Sequence, residues 1–265
     1  MTENPESRWF GEQSVNPDEK TRLVRGVFSN VAERYDLMND LMSGGIHRAW
    51  KHRFVALANP RPGERILDVA GGTGDIAFRL VRAMDRRSAG RHAHRDMSAT
   101  SGPDVVICDL SEEMVRVGRD RSIDQGFAGR IEVVVGNAES LPLPDRCVDA
   151  YTIAFGLRNV TRIDTALAEA RRVLRPGGRF LCLEFSHVVL PALRYAYETY
   201  SDAVIPRLGQ MIVGDRESYA YLVQSIRRFP EQQELADRMA AAGFHNPKWI
   251  NLTGGIAAIH QGWRI

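Results

Sequence analysis

The run Arg65-Ile-Leu-Asp-Val-Ala-Gly-Gly-Thr-Gly-Asp75 sets three glycines, Gly71, Gly72 and Gly74, between two apolar segments. Ile66, Leu67 and Val69 have the character of a strand buried in a parallel sheet. Ile76, Phe78, Leu80 and Val81 then follow a helical period. A turn this rich in glycine takes φ > 0 freely and lets a ligand lie on bare backbone. It delivers that ligand to a helix N-terminus, where unpaired N–H groups point outward. Strand, glycine turn and helix make the first unit of a nucleotide-binding α/β fold.

Gly72-Thr-Gly-Asp-Ile-Ala77 also fits the G-x-G-x-x-A pattern of dinucleotide enzymes. Two acids pull away from that reading: Asp68 inside the strand and Asp75 directly after the glycines. A pyrophosphate on the helix N-terminus would be repelled by Asp75, whereas an ammonium or sulfonium would not. A nucleoside with a cationic side group is expected, and S-adenosylmethionine is the obvious one.

The remaining chain is expected to repeat the strand–helix alternation. Val105–Asp109 reads as a second strand whose terminal acid, Asp109, is suited to grip a ribose diol. Ser111-Glu-Glu-Met114 opens a capped helix. Ile131–Val135 is a third strand, followed by Asn137 and Ala138: an amide edge for an adenine and room for its ring. Val148–Phe155 is the fourth strand, Ile163–Leu174 a helix, and Arg179–His187 the fifth strand. Short turns between them predict a doubly wound parallel sheet. Residues 82–103, with Arg82, Arg86, Arg87, Arg91 and Arg95, are too polar to pack and read as a surface insertion. His92 and His94 lack a third ligand nearby and are expected in a solvated loop, so no metal is expected.

Flanking this core are two helical regions. Residues 1–15 have no period and are expected to be mobile; 16–60 form a helical arm or lid, begun by Asn16-Pro17-Asp18-Glu19. Met38, Met42 and Trp50 fit core packing, whereas Tyr35, Asp36 and His47 are harder to place as core. The rest, 61–265, reads as the main α/β domain, interrupted by an aromatic helical cap over 190–228 whose apolar faces suit a greasy substrate or a membrane surface. A helix from Pro230 to Gly243 leads to Lys248–Leu252 and Ile256–Arg264, joined through Thr253-Gly254-Gly255 as a hairpin, which makes the last strand antiparallel.

Bulk properties narrow the partners. Thirty-five Lys and Arg against thirty-three Asp and Glu give a net charge of +2, with no general attraction to nucleic acid. No apolar run approaches the ~20 residues of a membrane span. Glu3, Glu6 and Glu12 at a polar N-terminus argue against a secretory or mitochondrial leader. Cys108, Cys147 and Cys182 sit in or beside apolar strand-like runs without CxxC spacing, as reduced, buried cysteines of a cytosolic protein would.

With these stretches placed, the chain resembles the ubiquinone/menaquinone biosynthesis C-methyltransferases along nearly its whole length. The resemblance rests on Phe28-Ser-Asn-Val-Ala-Glu-Arg-Tyr-Asp36, Met38-Asn-Asp40, Ala70-Gly-Gly-Thr-Gly-Asp75, Asn137-Ala-Glu139, Phe155-Gly-Leu-Arg-Asn-Val160, Val173-Leu-Arg-Pro-Gly-Gly178, Leu183-Glu-Phe-Ser186 and Ser225-Ile-Arg227. It implies a Rossmann-like class I S-adenosylmethionine-dependent methyltransferase: a mainly parallel seven-stranded α/β sheet with an antiparallel last strand, a helical N-terminal arm and a helical cap insertion. It implies donor binding by Thr73, Asp109, Asn137 and Ala138, beside Asp68, Gly71, Gly72 and Gly74 of the turn. One departure is Ala154, where some bacterial members have a serine that contributes to the site.

The implied reaction moves a methyl from a sulfonium to a ring carbon of a polyprenylated benzoquinol or of demethylmenaquinol. The ring must be the reduced quinol, since an electron-poor quinone would not attack. Arg158, at the mouth of the fourth strand, is expected to stabilise a phenolate or, through a bridging water, to help shed the proton. His187 is the more ordinary general base. Tyr35, Asp36 and Asn159 are expected to orient the acceptor's oxygens. The resemblance leaves open a peripheral contact at the inner face of the membrane, a homodimer and a quinone-biosynthesis complex. Rival readings are a nicotinamide-dependent quinone oxidoreductase, opposed by Asp75 and the C-terminal hairpin, a non-catalytic scaffold, and a nucleic-acid methyltransferase.

Overall fold

The computed structural model describes residues 9–10, 13–16, 19–24, 26, 40, 43–89, 102–191, 193, 195 and 216–265. In chain order its main elements are α1 (His47–Ala58), β1 (Ile66–Val69), α2 (Asp75–Ala89), β2 (Val105–Asp109), α3 (Glu112–Asp124), β3 (Ile131–Val135), β4 (Val148–Ala154), α4 (Ile163–Val173), β5 (Leu174–Phe185), α5 (Arg216–Arg227), α6 (Gln232–Ala241), β6 (His245–Leu252) and β7 (Ala257–Trp263).

The strands form one sheet in the order β3-β2-β1-β4-β5-β7-β6. The β3-β2-β1-β4-β5 pairings are parallel, and β7 runs antiparallel to both of its neighbours. The C-terminal hairpin therefore inserts its second strand between β5 and β6. Strand order reverses at β1 and β4, which pair side by side, and a ligand crevice opens beyond their C-terminal ends.

Alternation along β1 sorts the core into two layers. Ile66 packs with α1, α2 and α5, while Leu67 and Val69 pack with α4 and α6. Asp68 faces the first of these layers and is 1 % exposed. Trp50 of α1 lies edge-on to Phe185 (centroids 5.9 Å apart) and donates its indole N–H to Thr253 Oγ1 (2.9 Å), so its bulk is core, as expected. His47 is core too, 1 % exposed with Nδ1 3.0 Å from Ser43 Oγ; a partner one helical turn away satisfies the ring.

Local signals hold where a cap or a period sets them. Ser111 Oγ accepts from Met114 N–H (3.3 Å), and Asn16 Oδ1 accepts from Glu19 N–H (2.8 Å) ahead of the helical residues 19–24. Four expectations change. Residues 9–10 and 13–14, within a segment expected to be mobile, pair as a short antiparallel ladder. The first eight residues of the expected insertion continue α2 to Ala89, because Met84 extends the buried stripe of Leu80 and Val81 while the arginines face outward. Arg175–Gly178 form a bulge inside β5: Leu174 pairs with Val148 and Arg179 with Ala150. The final helix is shorter than Pro230–Gly243, spanning Gln232–Ala241. Tyr35, Asp36, Met38, Met42, His92 and His94 lie outside the described residues, as do residues 196–215 of the expected cap. All three cysteines are free and buried.

Candidate active site

Two cavities meet at the glycine turn. The larger encloses ≈ 780 Å³ of space open to solvent and is bordered by Gly72, Asp109, Asn137, Ala138 and Asn159, among others. The smaller, ≈ 390 Å³, is bordered by Lys51, Asp68, Gly71, Gly72, Thr73 and Asp75. Ala70, Gly72 and Phe155 border both. Ala70 (φ 49) and Phe155 (φ 56) hold the left-handed backbone conformation that side chains ordinarily avoid. Such strain persists only where surrounding packing imposes it, and it concentrates at functional sites.

One wall of the larger cavity is built from strand ends. Asp109 closes β2 and accepts hydrogen bonds from Gly72 N–H and Ser111 N–H, both 2.9 Å. These bonds tie the second strand to the glycine turn and set the carboxylate at the cavity wall. Burial pushes its proton affinity up, against the pull of those amides. Asn137 Oδ1 accepts from Glu139 N–H (2.9 Å), which fixes the turn that presents Ala138. Thr73 Oγ1 accepts from Arg121 of α3 (2.6 Å). That bond packs the turn on α3 and leaves the threonine its O–H to donate.

Asp68 is the unusual group. Oδ1 accepts from Thr152 Oγ1 (2.8 Å), its register partner on β4, while Oδ2 is buried without a hydrogen-bond partner. Burial pushes this carboxyl from 3.8 to about 7. A buried acid with an open oxygen beside a cavity asks for a cation. A side-chain ammonium, such as that of S-adenosylmethionine, would meet that demand, and Asp109, Asn137 and Ala138 border the adjoining cavity.

Asp75 plays a different part from the one expected. Its carboxylate is engaged by Lys51 Nζ (2.9 Å) and Arg79 Nε (2.8 Å), which hold its proton affinity below the usual range despite burial. Its charge is answered within the protein, so it no longer argues for a cationic ligand; Asp68 carries that argument instead. Gly74 (φ +92) turns the chain into α2, and a Cβ there would strike the Phe78 ring at 2.7 Å.

The expected catalytic residues separate. Asn159 borders the larger cavity and accepts from Tyr221 Oη–H (3.2 Å). Arg158 lies in the interior, its guanidinium donating to Glu184 Oε1 and Phe155 O, both 2.6 Å, and lying 5.5 Å over the Phe185 ring. It borders neither cavity, because Glu184 holds it in the interior. His187 Nε2 is 2.7 Å from Phe229 O, so that nitrogen carries the proton and ties β5 to the segment leading into α6. Tyr35 and Asp36 lie outside the described residues. Ala154 borders the smaller cavity with a methyl, which supplies no hydrogen bond.

Several contributors escaped sequence reasoning. Thr21 and Val24 of the N-terminal arm border the larger cavity, and Thr21 Oγ1 lies 3.1 Å from Thr161 Oγ1. Glu184 sat in the Leu-Glu-Phe-Ser run, where an acid among apolar strand residues was the available signal. Gly156 is required for clearance: a Cβ there would stand 2.4 Å from Ala70 Cβ. Gly156→Ala is expected to destabilise the protein by about 1–3 kcal/mol, the usual range for overpacking. Denaturant unfolding checks this, with Ala70→Gly restoring the loss in the double variant; an unchanged midpoint for Gly156→Ala would show that the two turns can part freely.

Fold and site together define a nucleoside-binding α/β methyltransferase. The likeness extends to solved structures: a SAM-dependent methyltransferase from Aquifex aeolicus (TM-score 0.56, 16% identity, 81% of this chain and 89% of that one) and the [4+2]-cyclase SpnF (TM-score 0.62, 17% identity, 92% and 96%). At such identities they speak for the fold alone. The family model of the ubiE/COQ5 methyltransferases matches residues 14–264. Ubiquinone/menaquinone biosynthesis C-methyltransferases of Brucella abortus (strain S19) and Brucella melitensis biotype 2 are each 54% identical over 258 residues, 97% of this chain and 90% of theirs. The chain belongs to the ubiE/COQ5 methyltransferase family.

Proposed function

We propose that the protein methylates a ring carbon of a polyprenylated benzoquinol, a demethylmenaquinol or both, using S-adenosylmethionine. The observation that carries this is Asp68: a buried carboxylate, one oxygen open, beside the turn where the two cavities meet. Bound S-adenosylmethionine supplies an electrophilic methyl on a sulfonium. Asp68 holds the ammonium, Asp109 the ribose hydroxyls, and Asn137 with Ala138 the adenine; Gly71, Gly72 and the Thr73 backbone let the chain lie close. Asn159 faces the acceptor; as the C–CH₃ bond forms, the sulfonium's S–CH₃ bond breaks to leave the neutral thioether S-adenosylhomocysteine, and the ring carbon's proton passes to water. Arg158, buried against Glu184, holds the Phe155–Asn159 turn that carries Asn159.

Support for a lipid-borne acceptor comes from the apolar walls of the larger cavity, including Val24, Val69, Met114, Phe155 and Val160. Val189 and Leu190, 48% and 54% exposed beside the cap, suit peripheral contact with a membrane surface. Among the described residues no helix is long and apolar enough to cross one.

The test is incubation of the purified protein with methyl-labelled S-adenosylmethionine and either quinol under reducing conditions. Label is expected in the quinol ring, in exchange for one hydrogen, and not when the oxidised quinone is supplied. Transfer to neither quinol, or NADH binding in place of S-adenosylmethionine, would overturn the reading.

A further inference from the structure

One buried contact joins the cap helix to the wall of the larger cavity. Tyr221, on α5, is 5% exposed, and its hydroxyl donates to Asn159 Oδ1 at 3.2 Å. Asn159 stands at the end of the turn that leaves β4 and borders the larger cavity. A carboxamide has one acceptor edge and one donor edge. Its terminal torsion is broad and roughly two-fold, so an asparagine left to itself offers either edge to a ligand. With Oδ1 taken by the phenol, the edge left for a ligand is the NH₂.

That choice has a chemical consequence. An acceptor ring attacks best as its phenolate, and an N–H aimed at the phenolic oxygen stabilises that charge. A carboxamide oxygen in the same place would oppose it. We propose that Tyr221 is a positioning residue for the acceptor: by occupying Asn159 Oδ1, it orients the amide so that its NH₂ meets the acceptor's oxygen. The inference rests on the quinol-methylation reading and goes beyond it, because it assigns the cap helix a part in the chemistry as well as in covering the site.

The experiment is a double-variant cycle in the full chain with Tyr221→Phe, Asn159→Ala and the pair, read as kcat and KM for the quinol. Phenylalanine keeps the buried ring and removes one hydroxyl. Tyr221→Phe is expected to lower kcat/KM for the quinol by about 10-fold, the size of one lost hydrogen bond, with S-adenosylmethionine affinity changed less than about twofold. In the Asn159→Ala background the same substitution is expected to cost nothing further. Asn159→Asp, which keeps an oxygen for the phenol but replaces the amide donors, is expected to lose at least as much as Asn159→Ala. Equal losses from Tyr221→Phe with and without Asn159 would mark a packing effect and overturn the proposal, as would full activity of Tyr221→Phe or of Asn159→Asp. No turnover by the unmodified protein would overturn the quinol reading and the proposal together; turnover by it with any of those variant results would overturn the proposal alone.

Discussion

Arg158→Ala is expected to destabilise the fold by about 3–5 kcal/mol, the cost of leaving one member of a buried ion pair behind. The guanidinium is wholly inaccessible and Glu184 is 1% exposed, with 2.6 Å between Nη1 and Oε1. Glu184 also accepts from the N–H groups of Arg158 (3.3 Å) and Phe185 (2.9 Å). Burial raises its proton affinity and Arg158 lowers it, so without Arg158 the acid would be driven to take up a proton. Denaturant unfolding at neutral pH measures the loss; a change below about 1 kcal/mol would show that the pair is not holding the turn.

Were Arg158 the phenolate-stabilising group that the sequence suggests, the substitution would leave donor binding intact and lower turnover ~10²-fold or more. The ion pair alters how such a result must be interpreted, since lost turnover would follow from a displaced turn as readily as from a missing catalytic charge. The double variant Arg158→Met with Glu184→Leu separates the two. It is expected to recover most of the stability, because a well-packed apolar pair often matches a buried ion pair. Turnover that stays low in this stabilised variant assigns the charge a chemical part; restored turnover assigns Arg158 to architecture.

Asp68→Asn is expected to act in opposite directions on the free protein and on binding. The ligand-free protein should become more stable by about 1–3 kcal/mol at pH 8, because a buried acceptor lacking a partner is replaced by a neutral group. Affinity for S-adenosylmethionine should fall ~10²-fold, since the ammonium loses its counter-charge. Calorimetry measures both effects, and undiminished affinity would remove Asp68 from the donor site.

The same residue sets a pH dependence. Its folded value, about 7, lies above the unfolded 3.8, so between these limits the native state binds the extra proton. Its contribution to stability therefore falls as pH rises from about 4 to about 7. Donor binding runs the other way: the ionised carboxylate is the form that attracts an ammonium, so affinity should climb towards pH 7 with proton release below it. Above about 8 the donor's own α-ammonium begins to titrate and affinity declines. In Asp68→Asn the rising limb should vanish while the upper decline persists.

How much of this could be read from residues follows from how far each signal reaches along the chain. The Ile66–Val69 strand, the glycine turn, the Ser111 cap and the antiparallel hairpin are properties of a few neighbouring side chains, and all stand where expected. The position of β7 between β5 and β6 was not legible, because turn chemistry says that two strands pair and nothing about which outer neighbour the second one takes. The bond partners of buried polar groups were not legible either. Arg158 and Glu184 are 26 residues apart, Asp68 and Thr152 84, Tyr221 and Asn159 62, and each was assigned its partner only when strand ends converged. Asp75 shows the limit most plainly: beside the glycines it reads as an acid awaiting a cationic ligand, yet Lys51, from a helix that precedes the turn, already neutralises it.

From its order of residues this chain specifies a parallel α/β sheet, its first glycine turn and the acids near it, because backbone propensity and side-chain period act over neighbours. Which acid keeps an unpartnered oxygen, which arginine is buried against a glutamate and which amide oxygen meets the Tyr221 hydroxyl were decided by tertiary packing, because electrostatic pairing depends on distance in space and not on separation in sequence.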